Sequence, residues 1–214
     1  FLDNEPIVKI RENIVSIFDD YLNDMDLYQV SSESIVRAKM VFKSIYQQLN
    51  KESKNFKASL LEKKLKTRDL NSPIDWLITA NAVYKSNQVK ETVSIPFSSN
   101  EESNFRLYLM DLGFLAYQSD INMATFIDSN VRNTLSGIFF ENYIAEELEA
   151  KNIPLYFWKG KNDAEFEFLV NDNNNVIPLD VKKSKGQLNS IDKFKDHNKY
   201  YYSVKFSANN YGYD

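Results

Sequence analysis

The sequence predicts an α/β protein in which an all-helical, winged-helix-like domain is followed by an α/β domain. Apolar residues recur at helical spacing through most of the first 83 residues. After residue 164 they alternate with polar residues, as they do in half-buried strands. Between these parts, "VSIPFSSNEESN" (93–104) shifts to serine, asparagine and acid. We therefore expect two domains, 1–103 and 104–214.

Four helical stretches are expected in the first domain. Pro6–Tyr28 is amphipathic, has an acidic outer face and begins with a proline suited to a first helical turn. Glu33–Leu49, Phe56–Lys66 and Pro73–Val83 follow. Short helices joined by polar turns, with a basic middle pair, are typical of a winged helix-turn-helix.

Composition excludes several classes of protein. The 214 residues contain no cysteine, so a disulfide framework and a thiolate metal site are excluded. His197 is the single histidine, which excludes a histidine-pair zinc site and favours a surface role. No apolar run is long enough for a membrane span and no segment is typical of a signal peptide, so we expect a cytoplasmic protein. The chain begins at Phe1 and has no P-loop motif, so we expect a fragment that does not itself bind nucleotide through a P-loop.

Charge is distributed unevenly along the chain, whose net charge is -4. Residues 1–33 carry a net charge of -6, whereas residues 37–68 carry ten Lys or Arg against two Glu, a net charge of +8. Residues 182–205 carry seven Lys against two Asp. Such basic stretches attract the phosphates of nucleic acids, although a solvated lysine-rich face remains an alternative. The candidate nucleic-acid-binding residues are Lys54, Lys57, Lys63, Lys64, Lys183 and Lys185.

The segment "AEFEFLVNDNNNVIPLDVKKSK" (164–185) predicts a hairpin that carries acids. Side chains alternate along a strand, so Glu165 and Glu167 share one face. If residues 172–175 form the loop, Glu167 lies opposite Asp180, and Glu165 lies opposite Lys182. Tyrosines 200–202 follow on the basic tail, where sheet packing or base stacking would both suit them.

A metal site is one interpretation of this hairpin. We place Glu141 on a helix over residues 137–150, on or beside the stripe that faces the sheet. Glu141, Glu167 and Asp180 would then be ligands of Mg²⁺, which prefers oxygen donors. In this interpretation Lys182, Asp180 and Glu167 are the catalytic residues, and Lys182 orients the metal-activated water. A plain hairpin with a solvated charged face, with Glu141 at the edge of its stripe, remains the alternative.

Four motifs, in order, resemble those of the domain of unknown function 4143, which is found at the C-terminus of many bacterial and archaeal AAA-superfamily ATPases. They are "RLYLMDLGFL", "GIFFENYIAEEL", "YFWKGKNDAEFEFLV" and "VIPLDVKKS". The resemblance extends upstream to about Ile35. It implies a restriction-endonuclease-like (PD-(D/E)xK-type) α/β domain with a mixed sheet, preceded by an ATPase module that holds the ATP site.

The resemblance matches Glu141, Glu167, Asp180 and Lys182 to the acids and lysine of the nuclease-like core. Glu167 stands where the family usually has aspartate, and Asp180 where it usually has glutamate. Three functions follow as hypotheses. The chain is a DNA-binding, Mg²⁺-dependent nuclease-like module of an AAA-type ATPase; or an inactive nuclease-fold scaffold that contacts its own ATPase domain or another protein; or a transcription-factor-like binder that uses only the basic helices.

Overall fold

The computed structural model describes residues 6–28, 31–99, 104–120, 129–161, 164–181 and 189–207. It confirms the α/β class, since helices dominate the first part of the chain and two mixed sheets form in the later part. Two compact units are present, Phe1–Tyr84 with Leu107–Arg132, and Lys85–Arg106 with Asn133–Asp214. The domain boundary at residue 103 stays a prediction. Within the described ranges, no helix has the length and apolar character needed to cross a membrane.

Aromatic side chains pack the helices of the first unit together. These helices are α1 (Ile7–Tyr28), α2 (Ser32–Leu49), α3 (Asn71–Thr79) and α4 (Leu112–Gln118). Ser31 begins α2 as an N-cap, because its hydroxyl accepts the Ser34 N–H at 3.2 Å. Phe18 of α1 stacks on Phe42 of α2 at 5.0 Å and meets the ring of Phe114 of α4 edge-on at 5.3 Å. Such aromatic contacts hold three helices around one core.

The connection between α2 and α3 differs from the prediction. It forms two short 3₁₀ turns, Ala58–Leu60 and Thr67–Leu70, and the predicted helix over 56–66 is wrong. The buried Gln48 side chain accepts the N–H of Lys57 and donates to its carbonyl, both at 3.1 Å. These bonds satisfy backbone groups that a helix would have paired within itself. The winged-helix-like arrangement stays a prediction.

The strands form two sheets that each combine parallel and antiparallel pairs. The first sheet, ordered β2-β1-β3-β4, contains β1 (Val83–Gln88), β2 (Phe105–Leu109), β3 (Tyr156–Lys159) and β4 (Glu165–Phe166). The second, ordered β5-β6-β7, contains β5 (Phe168–Asp172), β6 (Asn175–Val181) and β7 (Val204–Phe206). Helices α5 (Ser129–Ala150) and α6 (Asn189–Lys195) accompany them. Val83–Gln88 is therefore a strand inside a region that the sequence predicts to be all-helical, because Asn81, at φ 53°, ends the helical path after α3.

The hairpin β5–β6 has the predicted register. Phe168 pairs with Leu179, and Asp172 pairs with Asn175. The two turn residues, Asn173 and Asn174, have φ of 50° and 64°. Two consecutive left-handed residues suit the tight turns that match strand twist, and asparagine tolerates this conformation better than most side chains.

Within the second unit, residues 89–97 form a strap that packs against the hydrophobic core of that unit. Val93, Ile95 and Phe97 cover a core built around Trp158 and neighbouring aromatic rings. The Trp158 indole N–H donates to the Glu91 carbonyl at 2.9 Å. Part of the polar segment at which the sequence places the domain boundary is therefore bound to a hydrophobic core.

Candidate functional site

The three predicted acids are buried in the second unit. Glu141 on α5 is 2% exposed, Glu167 between β4 and β5 is 6% exposed, and Asp180 on β6 is 1% exposed. A solvated hairpin face does not fit this burial. Because ionised carboxylates are rarely buried without compensation, each of them needs an identified partner or a proton.

Arg106 of β2 compensates Glu141. Its Nη1 lies 3.1 Å from Glu141 Oε1, and its Nη2 lies 2.6 Å from Glu165 Oε1. The guanidinium also lies over the ring of Phe157, 4.1 Å from the ring centroid. Arg106 is 1% exposed, so the ion pair with Glu141 is shielded from water on both sides. The helix acid that the sequence assigns to a metal is thus bound by a cation from the chain itself.

Glu167 has a backbone partner. It lies at the break between β4 and β5, and its Oε2 accepts the N–H of Val181 at 3.0 Å. The carboxylate takes a bond that a neighbouring strand's carbonyl would otherwise accept. The ladder between β5 and β6 runs from the pair Asp172 and Asn175 to the pair Phe168 and Leu179, so Glu167 and Asp180 come next along the chain.

The third member of the predicted catalytic set is Lys182. Lys182, proposed to orient a water, and the nucleic-acid candidates Lys183 and Lys185 lie outside the described residues. Their roles stay predictions.

The hydrogen bonds of Glu141 and Glu167 bear on whether these acids could bind Mg²⁺. One oxygen of Glu141 is bonded to a guanidinium, and one oxygen of Glu167 to a backbone N–H. In the part of the chain that the structure describes, no three acidic, histidine or cysteine side chains form a group able to hold a metal ion. Mg²⁺ needs several oxygens turned toward one point, and its binding at Glu141, Glu167 and Asp180 stays a prediction.

Arg106 and Glu165 are the residues that sequence reasoning missed. Arg106 lies in "FRLYL", whose five side chains are all buried. The signal available in the sequence was a lone charge within an otherwise apolar strand, which indicates a buried ion pair. Glu165 was predicted to face Lys182, which lies outside the described residues, and the structure pairs Glu165 with Arg106.

A second charged feature is the basic loop, residues 51–68, in the first unit. It holds seven Lys or Arg against two Glu, a net charge of +5. Lys57, Lys63 and Lys64 are exposed and Lys54 is half-buried. Lys57, Lys63 and Lys64 form no ion pair with any residue that the structure describes.

The basic side chains of α2 differ from those of the basic loop. Arg37 lies 2.7 Å from Glu33, and Lys39 pairs with Asp26. The positive run that the sequence shows over residues 37–68 is thus neutralised in part along α2, whereas the basic loop keeps a net charge of +5.

Aromatic side chains of the tail divide between packing and exposure. Tyr200 packs on Phe194, with ring centroids 6.2 Å apart. Tyr201 and Tyr202 are exposed and contact each other edge-on at 5.5 Å. His197 is exposed, as expected.

Comparison with protein families assigns both halves of the chain. Residues 9–125, more than half of the chain, match the model of a domain of unknown function, DUF8612. The chain belongs to the DUF8612 family. In this DUF8612 protein, residues 136–214 match a second domain of unknown function, DUF4143. The DUF4143 resemblance is therefore confirmed for the C-terminal part, whereas the upstream helical segment falls within the DUF8612 match. A search of curated proteins and of solved structures found no match.

Proposed function

We propose that this DUF8612 protein binds nucleic acid, and DNA in particular, through the basic loop. The observation that carries the proposal is the net charge of +5 on an ordered loop whose lysines are largely exposed. Lysines that contact phosphates release condensed counterions, and this release supplies most of the affinity of non-specific DNA binding.

Buried residues and side-chain hydrogen bonds fix the backbone of the basic loop. Asn55 and Phe56 are buried, and Gln48 bonds both backbone groups of Lys57. The Asp69 side chain accepts the N–H of Lys66 at 2.9 Å. These anchors present the lysines from a fixed loop, which reduces the ordering entropy that binding would otherwise cost.

Lysine is a compact point charge, so the basic loop suits phosphates rather than base edges. We therefore expect binding with little sequence preference. The exposed acids of α1, which include Asp19, Asp20 and Asp24, repel a polyanion and so direct it to the basic loop.

The DUF4143 match also supports a proposal about the larger protein that contains this DNA-binding module. We propose that the chain is a cytoplasmic, DNA-binding module of an AAA-type ATPase, whose ATP site lies in the ATPase domain. The restriction-endonuclease-like core that the resemblance implies is then a scaffold rather than a cutting site. The observation that favours the scaffold over a Mg²⁺-dependent endonuclease is the buried ion pair of Arg106 with Glu141.

Charge reversal tests DNA binding. We expect the triple variant Lys57→Glu, Lys63→Glu, Lys64→Glu to lose at least about tenfold in affinity for a labelled duplex, because three phosphate contacts are replaced by repulsion. The slope of log affinity against log salt should fall by about 0.9 for each contact removed. Fluorescence anisotropy at several salt concentrations measures both quantities.

A matched control separates the basic loop from net charge. The variant Lys9→Glu, Lys90→Glu, Lys161→Glu changes the total charge equally at exposed positions outside the basic loop. We expect this control to keep most of the wild-type affinity. Equal losses in both variants, or none in the first, would show that the basic loop is not the binding surface.

A nicking assay tests the scaffold. We expect wild-type protein, with supercoiled plasmid and Mg²⁺ or Mn²⁺, to show no metal-dependent nicking above that of Asp180→Asn. Nicking by the wild type that Asp180→Asn abolishes would instead establish the endonuclease.

A further inference from the structure

We infer that the second unit carries a stacking surface for unpaired nucleobases, formed by the side chains of Tyr201 and Tyr202. Both belong to the tyrosine loop, residues 196–203, which connects α6 to β7. The inference rests on the proposed binding of nucleic acid and extends it, because it names the single strand as the form that this unit contacts. It concerns residues outside the basic loop and is tested apart from them.

The first observation is the exposure of the two rings. Tyr201 is 74% exposed and Tyr202 is 45% exposed. Tyr200, next to them in the sequence, packs instead against Phe194. The rings of Tyr201 and Tyr202 meet edge-on, with centroids 5.5 Å apart and an interplanar angle of 65°. An edge-on pair leaves at least one face of each ring uncovered by the other, so flat apolar faces are open on this loop.

The second observation is that hydrogen bonds fix the backbone of the tyrosine loop. The buried Asn198 side chain accepts the N–H of Val93 at 2.6 Å and donates to the Glu91 carbonyl at 3.0 Å. The Tyr201 N–H donates to the Val176 carbonyl of β6 at 3.4 Å. Tyrosine has only two side-chain torsions, so rings on a fixed loop lose little conformational entropy when a flat ligand binds.

The third observation is the charge around the tyrosine loop. Residues 192–205 carry four Lys against two Asp, a net charge of +2. Lys193 and Lys199 are exposed and form no ion pair with any residue that the structure describes. Lys195, by contrast, pairs with Asp192. Lysines beside exposed rings favour a ligand that combines phosphates with flat groups.

The form of the nucleic acid follows from the geometry of stacking. In a duplex the bases are paired and stacked on one another, so their faces are closed to a protein side chain. The unpaired bases of a single strand turn outward and stack on aromatic side chains. Because every base has a π-face, such stacking requires no particular sequence. The ligand that fits open tyrosine rings flanked by lysines is therefore single-stranded nucleic acid.

Binding of labelled strands tests the inference. Fluorescence anisotropy would compare a short single strand of thymidines with an abasic strand of equal length, which keeps the phosphates and lacks the bases. We expect the wild type to bind the thymidine strand at least about fivefold more tightly than the abasic strand. The double variant Tyr201→Ala, Tyr202→Ala should abolish this preference. The variant Tyr201→Phe, Tyr202→Phe should keep it, because phenylalanine retains the ring.

Two further variants separate stacking from other effects. Tyr143→Ala removes an equally exposed tyrosine ring from α5 and should leave the preference for bases unchanged. The basic-loop variant Lys57→Glu, Lys63→Glu, Lys64→Glu should weaken the binding of both strands and leave the ratio of their affinities unchanged. A change in both affinities at a constant ratio therefore reports on the basic loop, whereas a change in the ratio reports on the tyrosine loop.

Two results would overturn the inference. One is equal affinity of the wild type for the thymidine and abasic strands. The other is a preference for bases that the double alanine variant retains. Circular dichroism checks that this variant is folded. If it is not, Tyr201→Ala alone decides between the same outcomes, since the side chain at position 201 is the more exposed of the two.

Discussion

Glu141→Gln is expected to lower the free energy of unfolding by about 3–5 kcal/mol, the usual effect of removing one partner from a buried ion pair. The substitution keeps the size of the side chain and removes its charge. Arg106 would remain buried beside Glu165 and would lose its ion pair with Glu141. Urea unfolding followed by circular dichroism gives the difference from the wild type.

Glu147→Gln is the matched control for this prediction. Glu147 lies on the same helix, has a side chain that is 46% exposed, and pairs with Lys151 at 2.9 Å. The hydrogen bond and the charge of Lys151 hold the pKa of Glu147 below its usual range. Because solvent screens a surface pair, we expect little change in stability.

Whether Glu141→Gln lowers or raises the free energy of unfolding also distinguishes charge compensation by Arg106 from a metal site without its ion. In a metal site without its ion, carboxylates repel one another, and neutralising one of them stabilises the protein. A Glu141→Gln variant more stable than the wild type would therefore contradict the charge compensation by Arg106.

Gly160→Ala is expected to destabilise the protein by roughly 1–3 kcal/mol, as overpacking of a core usually does. A Cβ at position 160 would lie 2.6 Å from Cζ2 of Trp158 and closer still to Cη2. The ring cannot move freely, because Trp158 is 1% exposed, donates to the Glu91 carbonyl and packs edge-on against Phe194 at 5.0 Å. Urea unfolding measures the loss.

Gly137→Ala is the control for this substitution. Gly137 is exposed within α5, and an added Cβ would meet nothing within 4 Å. Alanine is the better helix former, so we expect a gain of roughly 0.5–1 kcal/mol. Equal stabilities of the two variants would show that the Trp158 ring does not confine position 160.

Local patterns predicted the parts of the fold whose bonds form between near neighbours in sequence. The acidic amphipathic helix α1 follows from its apolar spacing. The β5–β6 register follows from alternation and from the asparagines at the turn. In both cases the hydrophobic face and the backbone bonds are set within a few residues, and so the sequence alone is sufficient.

The basic loop and the strap over residues 89–97 were predicted poorly because distant groups decide them. Gln48 replaces helical backbone bonds at Lys57, nine residues away. Asn198 holds the strap by accepting the N–H of Val93 and donating to the carbonyl of Glu91. The composition of residues 93–104 predicted a domain boundary, whereas the apolar residues of the strap pack against a core that later parts of the chain build.

The candidate site shows the same division. By itself, the sequence determined that Glu167 and Asp180 come next to each other on paired strands, that Glu141 lies on a helix, and that the positive charge is concentrated in residues 37–68. Tertiary structure alone decided that Arg106 meets Glu141, 35 residues later, and Glu165, 59 residues later. The sequence gives the charge of a side chain, but the partner of that charge depends on which strands and helices pack together. Burial then makes the partner necessary for stability.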